Sequence, residues 1–246
     1  MKKNCLLLIC FGAAFNITAA ENTTAELISL KEKVNRAIIK VEQTQREFWS
    51  YKISRYENEE GDISSSIEQY SPQASEQWLL KQINGQLPTS KQVKNFAIKK
   101  QEQNNTKQQG SNIQLKLREL INHESLSLVS TNEKNIVMAF NVQLKKLGKD
   151  SIGKLQGQLI YQKDKQFIEK ISIWNNAEFS PMFTAKITDL AITFTFSHID
   201  GAVLTKQNEM KMKGSFAYFT EINETSLDVF SDYHYQGKHN QGKQTQ

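Results

Sequence analysis

The residues able to do chemistry are few and scattered. Four histidines occur, His123, His198, His234 and His239. A zinc site needs three or four nitrogen, sulfur or oxygen ligands converging on one point. His234 and His239 lie in a polar stretch, Tyr233-His234-Tyr235-Gln236-Gly237-Lys238-His239, with Asp232 adjacent and no third ligand indicated. Exposed tail histidines are expected there, and no metal. His198 ends a predicted strand beside Asp200 and suits a turn hydrogen bond. A Gly-x-Ser-x-Gly nucleophile elbow is absent, since Gly214-Ser215 sits inside a lysine-rich, strand-like run. Glu57, Glu59, Glu60 and Asp62 form an acidic cluster. Paired carboxylates serve acid–base catalysis or calcium, but these fall in an expected hairpin turn, where solvation is the ordinary outcome. No phosphate-cradling glycine loop is present. The Asn-x-Ser/Thr triplets at Asn16, Asn22, Asn104 and Asn223 need no more than an Asn-rich chain. The expectation is a protein that is not an enzyme and has no cofactor.

Large apolar side chains are a better lead. Trp49, Tyr51, Trp78, Leu80, Trp174, Phe194 and Phe196 all fall in predicted strands. Side chains of this type form either a solid core or the wall of an apolar cavity, and composition does not separate the two. They are the expected ligand-binding residues if the interior is hollow.

Those residues must be positioned by the elements around them. The N-terminus reads as an export leader: Lys2 and Lys3, an apolar run from Cys5 to Phe15, then Thr18-Ala19-Ala20, a small-x-small processing signal. Cleavage is expected after Ala20, with the periplasm as destination. The apolar run is too short to span a bilayer of about 30 Å as a helix. Both cysteines, Cys5 and Cys10, would leave with the leader, so the mature chain has no disulfide and no thiolate site. Two units of the formal charge of +5 sit on Lys2 and Lys3. The remainder is modest and dispersed, which argues against nucleic acid as partner. No apolar run long enough for a transmembrane helix follows Ala20, although peripheral membrane contact is allowed.

Thr23 to about Arg46 reads as a helix, with a capping box at Thr23 and Glu26 and an apolar stripe of Leu27, Leu30, Val34, Ile38 and Val41. The period then changes from 3.6 to 2. Trp49-Tyr51-Ile53 alternate with polar neighbours, a polar turn follows, and Ile63 to Tyr70 returns as a second strand. Trp78 to Ile83 is a third, stopped by Asn84-Gly85. Pro88-Thr89 opens a short helix to about Lys100, with Val93, Phe96 and Ala97 expected to face inward. Lys99 to Asn112 has no apolar residue and reads as a mobile polar loop. Ile113 to Ile121 is ambiguous between strand and helix. Strands are expected at 126–131, 136–144, 155–162, 167–174, 184–197, 209–222 and 225–235, the last two separated by a turn at Asn223-Glu224. Short connections demand antiparallel neighbours. The expected fold is α+β: one long meander of about ten strands curled into an unclosed half-barrel, its concave side covered by the two helices. Residues 21–236 form one domain, and 237–246 a disordered polar tail.

The order of leader, long amphipathic helix, Trp-rich hairpin, and the stretch Trp78, Leu80, Asn84, Gly85, Pro88, Thr89 before a second helix and long meander resembles Lol-type periplasmic proteins, the outer-membrane lipoprotein carriers and their uncharacterised relatives. The resemblance implies a half-barrel whose apolar cavity receives acyl chains, and hence a non-catalytic carrier of a hydrophobic ligand. None of Arg46, Arg55 and Arg118 can be matched to a functional arginine of that family. The alternative is a structural or interaction module of the cell envelope, with a filled core and an envelope protein as its partner. Ligand, partner and oligomeric state are not written in the sequence.

Overall fold

The computed structural model describes residues 15–105, 117–144, 147–217 and 220–237. The first fourteen residues of the expected leader, residues 106–112 of the expected polar loop and residues 238–246 of the expected tail lie outside them.

The apolar stripe of the first helix is what ties it down. Helix α1, Phe15–Gln43, buries Leu30, Val34, Ala37, Ile38 and Val41. Each such side chain contributes about 1.5–3 kcal/mol when removed from water. The helix begins at Phe15, upstream of the expected Thr23 start, and the expected cleavage point after Ala20 falls within it. It ends at Gln43; Arg46–Phe48 forms one 3₁₀ turn before the first strand.

Among the described residues eleven antiparallel strands follow: β1 Trp49–Glu59, β2 Asp62–Tyr70, β3 Trp78–Ile83, β4 Ser127–Thr131, β5 Asn135–Asn141, β6 Leu155–Gln162, β7 Phe167–Asn175, β8 Phe179–Met182, β9 Ala185–Ile199, β10 Ala202–Phe216 and β11 Thr220–Tyr235. Helix α2, Ser90–Asn105, and the single turn α3, Leu117–Leu120, lie between β3 and β4. The strand order is β3-β2-β1-β11-β10-β9-β7-β6-β5-β4, with β8 on the flank of β9. The sheet is not closed, and the fold is the expected α+β half-barrel. It is not, however, one continuous meander. Two meanders, β1–β3 and β4–β11, are joined because the first strand pairs with the last. The chain between the two free edges, β3 and β4, carries α2.

Several expected boundaries move, and in the strands the cause is that pairing overrides local turn chemistry. Asn223-Glu224 is not a turn: Asn223 pairs with Lys213 and Glu224 with Met212, inside the β10–β11 ladder. The reversal lies after Phe216, where Ala217 takes φ 50°. Part of the stretch left between the expected strands at 167–174 and 184–197 is strand β8. The first residues of the expected 99–112 loop continue α2 to Asn105. Within the ambiguous 113–121 segment, Leu117–Leu120 is helical and buries Leu117 and Leu120. His198 hydrogen-bonds not in its own turn but across to Lys40 Nζ of α1 at 2.9 Å.

Burial follows the strand period in β5 and β6. In β6, Leu155, Gly157, Leu159 and Tyr161 are all buried. In β9 the buried set changes parity, from Ala185 and Ile187 to Leu190 and Phe196. The cause is a bulge: Lys213 pairs with Asp189 but Gly214 with Ile187, leaving Thr188 as the extra residue. The bulge's backbone is satisfied from β7, where the Asn175 side chain accepts from Leu190 N at 2.6 Å and donates to the Thr188 carbonyl at 3.0 Å. On the other side Gly214 lies so close that a Cβ would fall 2.1 Å from the Lys186 carbonyl oxygen. Both flanks keep the apolar residues of β9 under α1. Gly214→Ala should therefore cost about 1–3 kcal/mol of stability, read as a lower urea midpoint with an unchanged slope.

Candidate functional site

Arg55 falls on the same period-2 face as Trp49, Tyr51 and Ile53. On β2 the facing positions are Ser64, Ser66, Glu68 and Tyr70, because Arg55 pairs with Ser66 and Ile53 with Glu68. On β11, Asp228 is the direct cross-strand partner of Arg55. Register alone thus brings Arg55, Glu68 and Asp228 together on one face of three adjacent strands.

Helix α2 lies over this face. Thr89 starts it: its backbone N and hydroxyl donate to Gln92 Oε1 at 2.8 and 2.9 Å, and Gln92 N donates back to Thr89 Oγ1 at 3.3 Å. That is a reciprocal cap of the capping-box kind. The helix does not turn Val93 and Ala97 inward as expected. Val93 is 39% exposed and Ala97 is exposed. The stripe facing the sheet is instead Gln92, Asn95, Phe96, Lys99 and Lys100, of which Phe96 and Lys100 alone are half-buried. The phase is set by Lys100. Its ammonium lies 2.8 Å from Glu68 Oε2, 4.1 Å above the Trp78 ring centroid and 5.1 Å from that of Phe96.

Between helix and sheet is a cavity of about 400 Å³, a volume within the range of small-molecule sites. Its sheet wall is Arg55, Glu57, Ser64, Ser65, Ser66 and Glu68, with Leu80 and Ile83 from β3; its helix wall is the α2 stripe. It opens to solvent along the exposed Gln92, Asn95 and Lys99.

The charges beneath it form a closed set. Arg55 Nε donates to Glu68 Oε1 at 2.8 Å and Arg55 Nη1 to Asp228 Oδ2. Arg55, Glu68 and Lys100 side chains are each 12% exposed or less. Burial opposes ionisation of Glu68, but Arg55 and Lys100 outweigh it and hold the carboxyl below its ordinary value. Asp228 has only Arg55, and there burial wins and pushes the carboxyl up, helped by Glu68 and Glu57. Burial likewise pulls the Lys100 ammonium down, against the pull of Glu68. For Arg55 the two carboxylates prevail over burial and raise its pKa.

Beyond Glu68 the same face continues as an aromatic cluster. Tyr51 lies with its ring centroid 5.2 Å from Tyr70, 6.0 Å from Trp78, 6.0 Å from Phe230 and 5.5 Å from Tyr233. Trp49 meets Tyr235 and Tyr233 edge-on. Burial pushes the hydroxyls of Tyr51 and Tyr233 well above the ordinary phenol value.

The seven residues read from the sequence do not surround one space. Leu80 is in the cavity wall; Trp78 is not part of that wall but lies beneath the Lys100 ammonium that is. Trp49 and Tyr51 belong to the neighbouring aromatic cluster. Phe194 and Phe196 pack into the core under α1. Trp174, between buried Ile173 and the Asn175 side chain that holds the bulge, is 37% exposed and faces away from Ile171 and Ile173. The residues missed by sequence reasoning are the polar ones: Arg55, Glu68, Lys100 and Asp228. A signal for two of them was available, because Arg55 shares the period of Trp49 and Ile53, and Glu68 that of Tyr70. A charge on the apolar period of a strand is either an error of register or a buried pair. Among the described residues no group of three or more His, Cys, Asp or Glu side chains could hold a metal ion.

No family model and no curated protein matches the sequence. In structure the chain is similar to a DUF1329 family protein from Desulfovibrio piger, with a TM-score of 0.36 and 9% identity over 85% of this chain and 92% of that one. A likeness at that level carries no argument about ligand or activity.

Replacing one member of the charge set tests what holds α2. Glu68→Gln leaves Lys100 without its carboxylate and Arg55 with Asp228 alone, and breaking a buried pair in this way costs about 3–5 kcal/mol. Faster amide exchange along 90–105 than along β9 and β10 is the expected local sign. The pH dependence has a defined sense. Because the folded Glu68 carboxyl titrates below its ordinary value of 4.5, its stabilisation is fully present above that value and is lost as pH falls through the lower folded one. Backbone NMR of α2 across an acid titration should show the helix leaving the sheet in that window, and in Glu68→Gln the step should vanish.

Proposed function

We propose that the protein is a non-catalytic binding protein of the cell envelope, and that the α2-covered cavity takes a small amphiphilic ligand. The observation that carries this is the mismatch of the two surfaces across the cavity. A helix that docks only to complete a core turns its apolar stripe inward. Here α2 leaves Val93 and Ile98 outside and presents Gln92, Asn95 and Lys99 to a wall of serines and charged groups. Polar groups on both sides of a void of this size are satisfied by water or by a guest. Leu80, Ile83 and Phe96 supply an apolar strip in the same cavity for an alkyl or acyl segment.

The non-catalytic reading is supported by the electrostatics. Arg55, Glu68, Lys100 and Asp228 are engaged with one another, so their charges are spent within the set and none stands free as a base or nucleophile. The α1 side of the sheet has a different character: Val34, Ile38, Ile171, Ile173 and Leu190 are buried against one another in a single apolar cluster. We place no ligand there. The envelope location rests on the leader-like N-terminus, and no described helix is long and apolar enough to cross a membrane.

Two measurements test the reading. Ser66→Phe should fill the cavity from β2 and abolish binding of a medium-chain lysolipid or fatty acid, seen by native mass spectrometry, while the unfolding midpoint stays near that of the wild type. Undiminished binding by that variant would remove the cavity from consideration. Protein recovered from the periplasmic fraction should begin at Glu21, by intact mass.

A further inference from the structure

The Lys100 ammonium occupies a place that is itself built for a cation. Three elements supply it: the Glu68 carboxylate of β2 at 2.8 Å, the Trp78 ring of β3 at 4.1 Å and the Phe96 ring of α2 at 5.1 Å. A carboxylate together with two aromatic faces is the donor set that recognises alkylammonium groups. The Glu68 side chain is 7% exposed, so its charge is held away from water and must be met by cations. Arg55 meets one oxygen from below and is fixed there by Asp228 as well. The other oxygen, Oε2, is met by the Lys100 ammonium at 2.8 Å.

Resting on the cavity reading above, we propose that Glu68, Trp78 and Phe96 form an ammonium-binding cage, which Lys100 of the same chain fills in the unliganded protein and which the ligand's ammonium group takes over. Lysine is suited to such a stand-in role. Its charge sits on a flexible four-carbon stem, and burial already disfavours the charged form in this position. Exchange of one ammonium for another leaves the net charge of the set unchanged, so Glu68 and Arg55 need not move. Lys100 swings toward the solvent-open side occupied by Lys99, and the stem it vacates is replaced by the ligand's own carbons against Leu80 and Ile83. The ligand class is therefore a primary or quaternary alkylammonium, either a free organic cation or the headgroup of an amphiphile.

The experiment titrates wild type, Lys100→Ala and Lys100→Ala/Glu68→Gln with tetramethylammonium, choline, the uncharged carbon isostere of choline, and dodecylphosphocholine. The Trp78 indole N–H signal, assigned by Trp78→Phe, is the readout. The expected result is binding of the ammonium probes to Lys100→Ala about tenfold tighter than to wild type, the scale of one desolvated cation–π contact, with no binding by the double variant. Tighter binding of dodecylphosphocholine than of choline assigns the headgroup of an amphiphile, and equal binding assigns a free cation. The wild-type protein gives an independent reading should Lys100→Ala fold poorly: the probe should move the Lys100 side-chain signals to solvent values and leave those of Arg55 in place. Equal response to the uncharged isostere, or no gain in Lys100→Ala and no movement of Lys100 in wild type, overturns the cage. In that event a Ser66→Phe variant that still loses lysolipid leaves the cavity reading standing, so the two failures are distinct.

Discussion

The pairing of the first strand with the last is the constraint on which the rest depends. Arg55 and Asp228 are 173 residues apart in the chain and adjacent in register. Without β1 against β11, the N-terminal hairpin would be a separate three-stranded piece, and the long meander would end in an open edge. The free edges move instead to β3 and β4, and the connection between them must run along the open side of the half-barrel. That route is what places α2 over the inner face of β1 and β2. The contact is distant in sequence, but closing a longer loop costs little, about 0.6 kcal/mol for each doubling. The burden falls on kinetics, since non-local strand pairing slows folding.

The same pairing explains why charges lie on an inner face. Period-2 alternation carries Trp49, Tyr51, Ile53 and Arg55 to one side of β1, and the register then fixes which groups Arg55 meets. A buried ion set of this type is a weak contributor to stability compared with well-packed apolar residues of similar volume. Its value lies in specificity. An α2 held by apolar contacts could slide by a turn, whereas a helix held by one ammonium between the Glu68 carboxylate and the Trp78 ring of the sheet has a single phase. The cost is that little else holds it: apart from Phe96 and Lys100 its residues from 90 to 102 are exposed.

Much of this architecture was legible from the residues. The α1 stripe, the change of period after Arg46 and the antiparallel strands all follow from apolar spacing, and spacing is imposed by the need to bury one face. What was not legible is non-local. Nothing in Asn223-Glu224 reveals that the ladder with Lys213 and Met212 continues through it, because turn propensity is worth less than the backbone pairs of a long hairpin. The parity change in β9 depends on a bulge that Asn175 and Gly214 make tolerable from two other strands. The phase of α2 is hidden from the sequence for a related reason. Val93 and Ala97 suit an apolar face, yet the surface opposite holds Glu68, Ser64 and Ser66, and the helix takes the phase that satisfies the buried carboxylate. The aromatic residues singled out by type were real strand residues, but residue type does not say which space a ring lines; Phe196 and Trp174 belong to different faces of the same sheet.

The cavity persists because each way of closing it is blocked by a group that cannot give up water without a partner. Drawing α2 down onto β2 would set Asn95 and Gln92 against Ser64 and Ser66 and press Lys99 toward Lys100 and Arg55. Rotating α2 to bring Val93 inward would withdraw Lys100 and leave Glu68 with Arg55 alone, exchanging the burial of one valine, about 1.5–3 kcal/mol, for the larger penalty of an under-compensated buried carboxylate. The balance of those two terms keeps the helix at a distance from the sheet and the space between them open. The α1 half of the sheet has no such conflict, since both surfaces there are apolar, and it closes completely around Ile171 and Ile173. One sheet thus carries a solid half and a hollow half, and the boundary between them falls where β1 meets β11.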